Sequence, residues 1–449
     1  MRTKRFIAML LAIMLCLVAF AGCSKDESKT ETGGKSENKT ETSKKDKKEE
    51  SPYKVTEPIT IEWWHALEEQ YSDLIDDVAE KFHATGTNVK LEPIYQGSYS
   101  DLNEKLIAAL AANTMPALCV ANTPYVAEYG ASGVCEDLTS YIEADNFDID
   151  DFGIGLIESS SYEGKPISLP FLISTQVIYY NKDMADAEGI KLPEKWSDMD
   201  EFLDAAAKIE NGKTTRYATC VPGWDQWYFE TYYRNAGVEI VTSDNKTDLD
   251  GQKAIEIAEQ FKKWYNDGKI NWCYGTNAST DMRQSFFDGK TFSVMHTSSL
   301  YNMYVDNCDF EVGMAWYPGA DTHNSEVGGC ILLIPAKNDQ KTKNAAWEAL
   351  KFLTSKDVNM EWASGSGYMP TRKSVLETQE GEDFLKEKPA FKVIFDNLDN
   401  IKPRIQHPAY PALSKEWMNA MAKSIIEDTD MQKTMEDAAK IINDTLADE

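Results

Sequence analysis

The sequence predicts an α/β fold of two lobes built from interleaved segments. Three observations predict it. Strand-like and helix-like runs alternate with short links, which favours parallel sheets covered on both faces. After a leader and a polar tether, about four hundred residues remain, long for one hydrophobic core and suited to two. No repeat or internal linker divides those residues, so the lobes cannot be a simple head and tail.

The chain opens with Arg2, Lys4 and Arg5 before an apolar run from Phe6 to Phe20, followed by Ala21-Gly22-Cys23. Residues 1–22 read as an export signal, too short for a stable spanning helix. Small residues before Cys23 resemble the lipobox of bacterial lipoproteins, with Phe20 where Leu is more usual. That resemblance implies a diacylglycerol on the Cys23 sulfur, and with it stable anchoring. Residues 23–55 then read as a tether. Between Ser24 and Pro52 stand eight Lys and eight acidic residues, with no aromatic, Leu, Ile or Val. Such a stretch buries too little apolar surface to offset its chain entropy.

The folded part opens with a strand-like run, Ile59 to His65, and a helical pattern through Tyr71, Leu74, Ile75, Val78 and Phe82. Val89 to Ile94 alternates as a second strand. Ser100 or Asp101 is the expected cap of a helix with Leu102, Leu106, Ile107 and Leu110 on its apolar face. Ala117 to Ala121 reads as a strand, and Tyr125 to Tyr129 begins a helix. Pro166 to Tyr180 is extended, its prolines blocking a helix and its β-branched residues suiting a sheet. Trp196 to Asp198 opens a helix through Met199, Phe202, Leu203 and Ala206. Phe292 to Met295 and Gly329 to Pro335 are further extended runs. The tail is helical around Trp347 to Leu353 and from Met418 to Leu446.

Composition excludes several functions. The whole chain carries a formal charge of −28; the leader supplies +3 and the tether is balanced, so the folded part is near −31. Such a surface repels nucleic acid and anionic lipid headgroups. The six cysteines beyond Cys23 are scattered without a C-x-x-C. Free thiols are expected, with a Cys119–Cys135 bridge as the alternative. The five histidines form no metal-ligand spacing, and neither a nucleophile elbow nor a phosphate-binding loop occurs. No cofactor or metal is expected.

Aromatic residues instead stand beside small polar ones in loop-like places. Examples are Trp63-Trp64-His65, Tyr95 to Tyr99, Gly223 to Trp227, Gly365 to Tyr368 and Pro403 to His407. A carbohydrate needs this mixture: its C–H faces stack on rings and its hydroxyl rim needs oriented donors and acceptors. Trp224 and Tyr368 each follow a glycine in a turn-like stretch. Arg404 sits in a proline-braced segment, where its fork can face phosphate or vicinal hydroxyls, or pair with a carboxylate.

Trp64-His65-Ala66, Tyr95 to Tyr99, Pro170-Phe171 with Ser174-Thr175, and Tyr179 to Asp183 occur in one order along the chain. Gly223-Trp224 with Trp227, Thr297 to Ser299, Gly328-Gly329, Gly367 to Pro370 and Arg404 continue that order. In this the chain resembles the extracellular solute-binding proteins of carbohydrate-uptake ABC importers. Within them it is similar to glycerol-3-phosphate-binding proteins. The resemblance implies a periplasmic-binding-protein-like fold of type II. Each lobe is a mainly parallel sheet flanked by helices, and crossing segments at Ser168 to Ile178, Phe292 to Ser299 and Val327 to Pro335 join the lobes. The expected partition is 56–170 with 298–329 as lobe I, and 171–297 with 330–449 as lobe II.

The same resemblance implies ligand contacts at Tyr99, Ser174, Ser299, Gly329, Tyr368 and Arg404, with Trp224 and Trp227 as an aromatic platform. His65 and Thr123 complete the expected set; Thr123 stands where glycerol-phosphate binders carry Glu. The expectation is therefore a monomeric, lipid-anchored receptor on the extracellular face of the cytoplasmic membrane. It would pass a sugar, oligosaccharide or polyol phosphate to permease subunits. A lipid-anchored polysaccharide-degrading enzyme is the alternative, and a passive surface adhesin the third class.

Overall fold

The computed structural model describes residues 51–67 and 71–447. The signal at 1–22, Cys23 and nearly all of the 23–55 tether lie outside the described residues. No described helix is long and apolar enough to cross a membrane.

Eleven strands form one mixed sheet flanked by helices. On one flank Ile59–His65 pairs in parallel with Val89–Tyr95 and Leu118–Asn122. On the other, Lys213–Pro222 runs parallel to Ile270–Cys273 and Thr291–Thr297. Parallel pairs require crossover connections, and the helices Ser72–Ala84 and Tyr99–Ala112 supply them on the first flank. Between the flanks the pairing reverses. Leu169–Asn181 is antiparallel to Ser325–Leu333, Thr291–Thr297 and Val312–Ala315, and Ser325–Leu333 is antiparallel to Leu118–Asn122. The parallel expectation thus describes most of the flanks, and the two long central strands run against their long neighbours, Ser325–Leu333 being parallel only to the short Ile401–Lys402.

These central strands change company along their length. Leu169, Phe171 and Leu172 belong to a hydrophobic cluster with Trp63, Leu118 and Trp347, whereas Ile173, Val177 and Tyr179 join one with Met282, Tyr304 and Val327. Ser325–Leu333 switches in the same way, with Val327 in the second group and Cys330 to Leu333 in the first. Gly329 lies opposite Ile173 and Cys330 opposite Leu172, so both strands cross between clusters at one level. The helix Lys356–Gly365 crosses there too, between Trp362 and Ala363. The sequence partition differs from this grouping. Residues Cys330 to Trp362 gather with the 55–172 side chains, and Tyr301 to Val327 gather with Ile173 to Cys220. The reason is that the expected crossing at Phe292 to Ser299 does not occur: Val294, Tyr301 and Tyr304 share one cluster, so the chain next changes sides at Ser325–Leu333 and returns after Trp362.

The crossing carries a bulge. The register shifts between Cys330 and Ile331, whose partners are Leu172 and Pro170. Pro170 cannot donate to the ladder and is tolerated beside that irregularity. Gly329 has φ +90, and a Cβ there would come within 2.0 Å of the Leu172 carbonyl oxygen. Glycine is required on both counts.

Two local expectations are corrected. The Tyr99–Ala112 helix is capped by Ser98, not by Ser100 or Asp101. The Asp101 N–H donates to Ser98 Oγ (3.2 Å), and the Ser98 N–H donates to the Asp101 carboxylate (2.8 Å). Gly97, with φ +99, turns the chain into the helix early. The helical tail begins at Tyr410 rather than Met418, because Pro411 fits a first helical turn. It also breaks into two helices, Tyr410–Ile426 and Met431–Ala447, with Asp428 at φ 54 between them. All six cysteines in the described residues are free thiols, Cys119 and Cys135 included.

Candidate functional site

A cavity of about 400 Å³ opens where the ends of several elements meet. Asn122, Pro124 and Tyr125, just past the Leu118–Asn122 strand, form one wall. Trp224, Asp225 and Gln226 form the facing turn, with Tyr274, Arg404, and Tyr410 and Ser414 of the first tail helix around them. Tyr125 packs on the first cluster, whereas Trp224 packs on the Tyr304 group. The cavity therefore lies between side chains anchored to different clusters.

Arg404 is the charged centre of this wall and is only 7% exposed. Its Nη2 donates to Glu230 Oε1 (3.2 Å) and to the Tyr410 hydroxyl (2.7 Å). The Gln226 amide oxygen accepts from Arg404 Nη2 (3.1 Å), Tyr410 (3.0 Å) and Ser414 (3.1 Å). In that orientation its nitrogen donates to Asp225 Oδ1 (3.3 Å). The guanidinium also lies 5.6 Å from the Trp227 ring centroid and 5.3 Å from that of Tyr410, within cation–π range. Its Nε has no hydrogen-bond partner among the described residues.

Behind Arg404 lies a second arginine. Arg234 Nη1 donates to Glu326 Oε1 (2.5 Å) and to the Pro403 carbonyl (2.8 Å). Glu230 and Glu326 are almost wholly buried. Burial, and then the Glu326 charge beside it, push the Glu230 carboxyl well above the ordinary range, while Arg404 opposes this. Burial also raises Asp225, again against Arg404. The Trp227 N–H donates to Asp225 Oδ1 (3.0 Å), which fixes the turn.

Trp227 joins this wall to the crossing strands. A Cβ on Gly328 would meet the Trp227 ring at 2.6 Å and Ser174 Oγ at 2.9 Å, so the ring seats against bare backbone beside Ser174. Gln176, wholly buried on the Leu169–Asn181 strand, donates to the Trp227 carbonyl and accepts from Thr231. The Trp227 Nε1 and Thr123 Oγ1 are buried without hydrogen-bond partners among the described residues.

A second group gathers at the same crossing. Tyr99 lies beside the Cys330 thiol and Tyr368, and burial with these neighbours raises its hydroxyl well above the ordinary tyrosine range. Tyr368 follows Gly367, whose Cβ would meet the Ser299 carbonyl oxygen at 2.1 Å. The Met369 N–H donates to the Ile173 carbonyl (2.9 Å), which holds Tyr368 next to the strand that carries Ser174. Thr123 follows Asn122, the register partner of Cys330.

Of the ten residues expected from the sequence, Trp224 and Arg404 line the cavity. Trp227, Ser174 and Gly329 lie behind it at the crossing, and Tyr99, Tyr368, Ser299 and Thr123 lie around that crossing. His65 stands apart. Its Nδ1 accepts from the Leu67 N–H (3.3 Å), and it lines a separate recess of about 420 Å³ with Ile75, Asp76, Pro93 and Tyr95. Burial holds its imidazole down at about 4, opposed by Asp76. Sequence reasoning missed Tyr125, Asp225, Gln226, Tyr274 and Tyr410 on the wall. Asp225 and Gln226 sit inside the Gly223–Trp227 run, and Tyr410 closes the proline-braced segment, so those signals were present. Tyr125 and Tyr274 had none.

Known proteins carry the same organisation. The profile described as bacterial extracellular solute-binding protein matches residues 77–393. The sn-glycerol-3-phosphate-binding periplasmic protein UgpB of Yersinia pseudotuberculosis is 24% identical over 363 residues, covering 76% of this chain and 81% of that protein. A cyclic alpha-maltosyl-1,6-maltose binding protein from Arthrobacter globiformis superimposes with TM-score 0.75 at 18% identity, over 87% of this chain and 100% of its own. UgpB from Mycobacterium tuberculosis, solved with glycerophosphocholine, gives TM-score 0.76 at 20% identity, over 88% and 99%. At these identities the solved structures establish the fold.

Proposed function

The chain belongs to the bacterial extracellular solute-binding protein family, and from that premise we propose that it captures a polyhydroxylated solute, a sugar or a glycerol phosphate, for an ABC importer. The observation that carries this reading is the cavity walled by Tyr125, Trp224, Tyr274 and Tyr410 among Asn122, Gln226 and Ser414. Rings supply apolar faces at about 25 cal/mol per Å² removed from water. Amides and hydroxyls supply the oriented polar rim.

In this reading the two sides of the cavity belong to two lobes, and the crossing at Leu172-Ile173 and Gly329-Cys330 is where they flex. A solute touching both walls favours the closed form, because only there does it make both sets of contacts. Ser174, Trp224, Trp227, Tyr99, Thr123, Ser299, Gly329, Tyr368 and Arg404 form the proposed binding set. His65, which lines the separate recess, is left out of this set. The names of the relatives favour this solute class, and they are binding proteins rather than enzymes. The signal at 1–22 and the anchor at Cys23 complete the proposal as a monomeric receptor tethered outside the cytoplasmic membrane, delivering solute to permease subunits.

A thermal-shift screen of maltose-type oligosaccharides, glycerol 3-phosphate and glycerophosphodiesters tests it. A ligand at one hundred times its Kd stabilises by about 2.7 kcal/mol, several degrees for a protein of this size. One compound should raise the Tm without being altered. Release of reducing ends from a glycan would overturn the reading in favour of an enzyme.

A further inference from the structure

We propose that Asp225 sets the charge of the solute this site accepts: its carboxylate, on the cavity wall beside Arg404, balances the guanidinium and restricts the site to solutes without net negative charge. The inference rests on the reading of this cavity as the solute site, and it chooses the neutral sugar over the glycerol phosphate.

The argument begins with which groups face Arg404. Asp225 approaches from the turn before the Trp227–Asn235 helix, and Glu230 from that helix at 3.2 Å. The Tyr410 hydroxyl and the Gln226 amide approach from the other side. Glu326, on the crossing strand, pairs with Arg234. The buried assembly therefore holds two guanidinium groups and three carboxyls. Glu230 and Glu326 are adjacent and excluded from water, and burial with the neighbouring Glu326 charge raises the Glu230 carboxyl. Each guanidinium therefore has a carboxyl facing it, with Asp225 as the third on the cavity side.

An anion entering this cavity would meet no uncompensated cation on the inner wall. The remaining cation there, Lys415, is exposed at the rim, where solvent screens it. An anion would also lie against the Asp225 carboxylate itself. A neutral polyol meets the reverse: a carboxylate accepts strong hydrogen bonds from hydroxyl groups, and the opposing guanidinium donates them. Asp225 thus has a positive role for the neutral solute and a negative one for the charged solute, which is how discrimination is built.

The test is titration calorimetry on the purified protein with glycerol 3-phosphate and maltose as probes, comparing the parent with Asp225→Asn at low salt. Neutralising the carboxylate removes the negative group that shares the cavity wall with Arg404, so glycerol 3-phosphate should bind at least tenfold more tightly than to the parent. The gain should shrink as NaCl rises and vanish when Arg404→Gln is added. Maltose affinity should not rise. An unchanged affinity for glycerol 3-phosphate in a folded Asp225→Asn or Asp225→Ser protein would overturn the assignment. Should both variants fail to fold, Asp225 holds the turn rather than the solute, and the assignment falls. A parent that binds no member of the solute panel overturns the reading of the site instead, so the two failures are distinguishable.

Discussion

Two buried arginines of this molecule have opposite fates. Arg216 and Arg404 are both nearly inaccessible, at 8% and 7%, and each is paired with a glutamate. Arg216 makes a bidentate pair with Glu188, at 2.7 and 2.8 Å, and its Nε donates to the Ala206 carbonyl (2.8 Å). All three nitrogens of the fork are engaged, and with Lys208 it holds the Glu188 carboxyl down at about 2. Arg404 meets Glu230 through one nitrogen, carries an unpartnered Nε, lies over Trp227 and borders a cavity. A guanidinium with every nitrogen engaged is structure. One held in place with donors to spare is equipped for a ligand.

Substitutions should break this comparison cleanly. The largest effect is expected from Trp227→Ala, which removes the ring under Arg404 and opens the space against Gly328 and Ser174. It should cost about 3–5 kcal/mol of stability, read by chemical denaturation, and abolish solute binding. Arg404→Met should weaken binding about 30- to 100-fold, or about 2–3 kcal/mol, as expected when a buried charge-assisted contact is lost. Arg216→Met should do the reverse: it should destabilise by about 2 kcal/mol through the lost bidentate pair and the orphaned Ala206 carbonyl and leave the affinity of the folded protein unchanged. Equal binding losses in the two arginine variants would dissolve the distinction.

The smallest effect concerns His65, the expected site residue that lies off the cavity. Its folded pKa of about 4 is below the ordinary 6.5, because burial disfavours the charged ring. The unfolded chain therefore binds the extra proton first. Its contribution to stability is present above pH 6.5 and is lost as the pH falls toward 4. The midpoint of unfolding should drop over that window, and His65→Gln should flatten the drop by about 1–2 kcal/mol while solute affinity at pH 7 stays within twofold. A large loss of affinity would return His65 to the site.

Much of this was legible in the sequence for physical reasons. Period-two and period-3.6 patterns mark Ile59–His65, Val89–Tyr95 and the Met199–Ala206 helix, because one face of each is buried. Gly-Trp and the proline-braced arginine marked Trp224 and Arg404, because turns exclude those residues from regular core elements. The partition of the later segments was not legible. It depends on Thr291–Thr297 leading into Tyr301 without leaving its cluster, and periodicity is blind to which core a strand faces. The N-terminal end of the tail helix was hidden for a similar reason, since His407 to Pro411 reads as a loop until Pro411 is placed in a first turn. Tyr125 and Tyr274 reach the cavity only through tertiary placement.

The central claim is that Trp224, Arg404 and Tyr410 border the place where the solute is held. A crystal structure of the protein with the compound that raises its Tm tests this most directly. The account predicts that compound in the cavity, stacked on Trp224 or Tyr125 and hydrogen-bonded to Arg404 and Asp225. Density for it in the His65 recess, or at any site these side chains do not touch, would contradict the account.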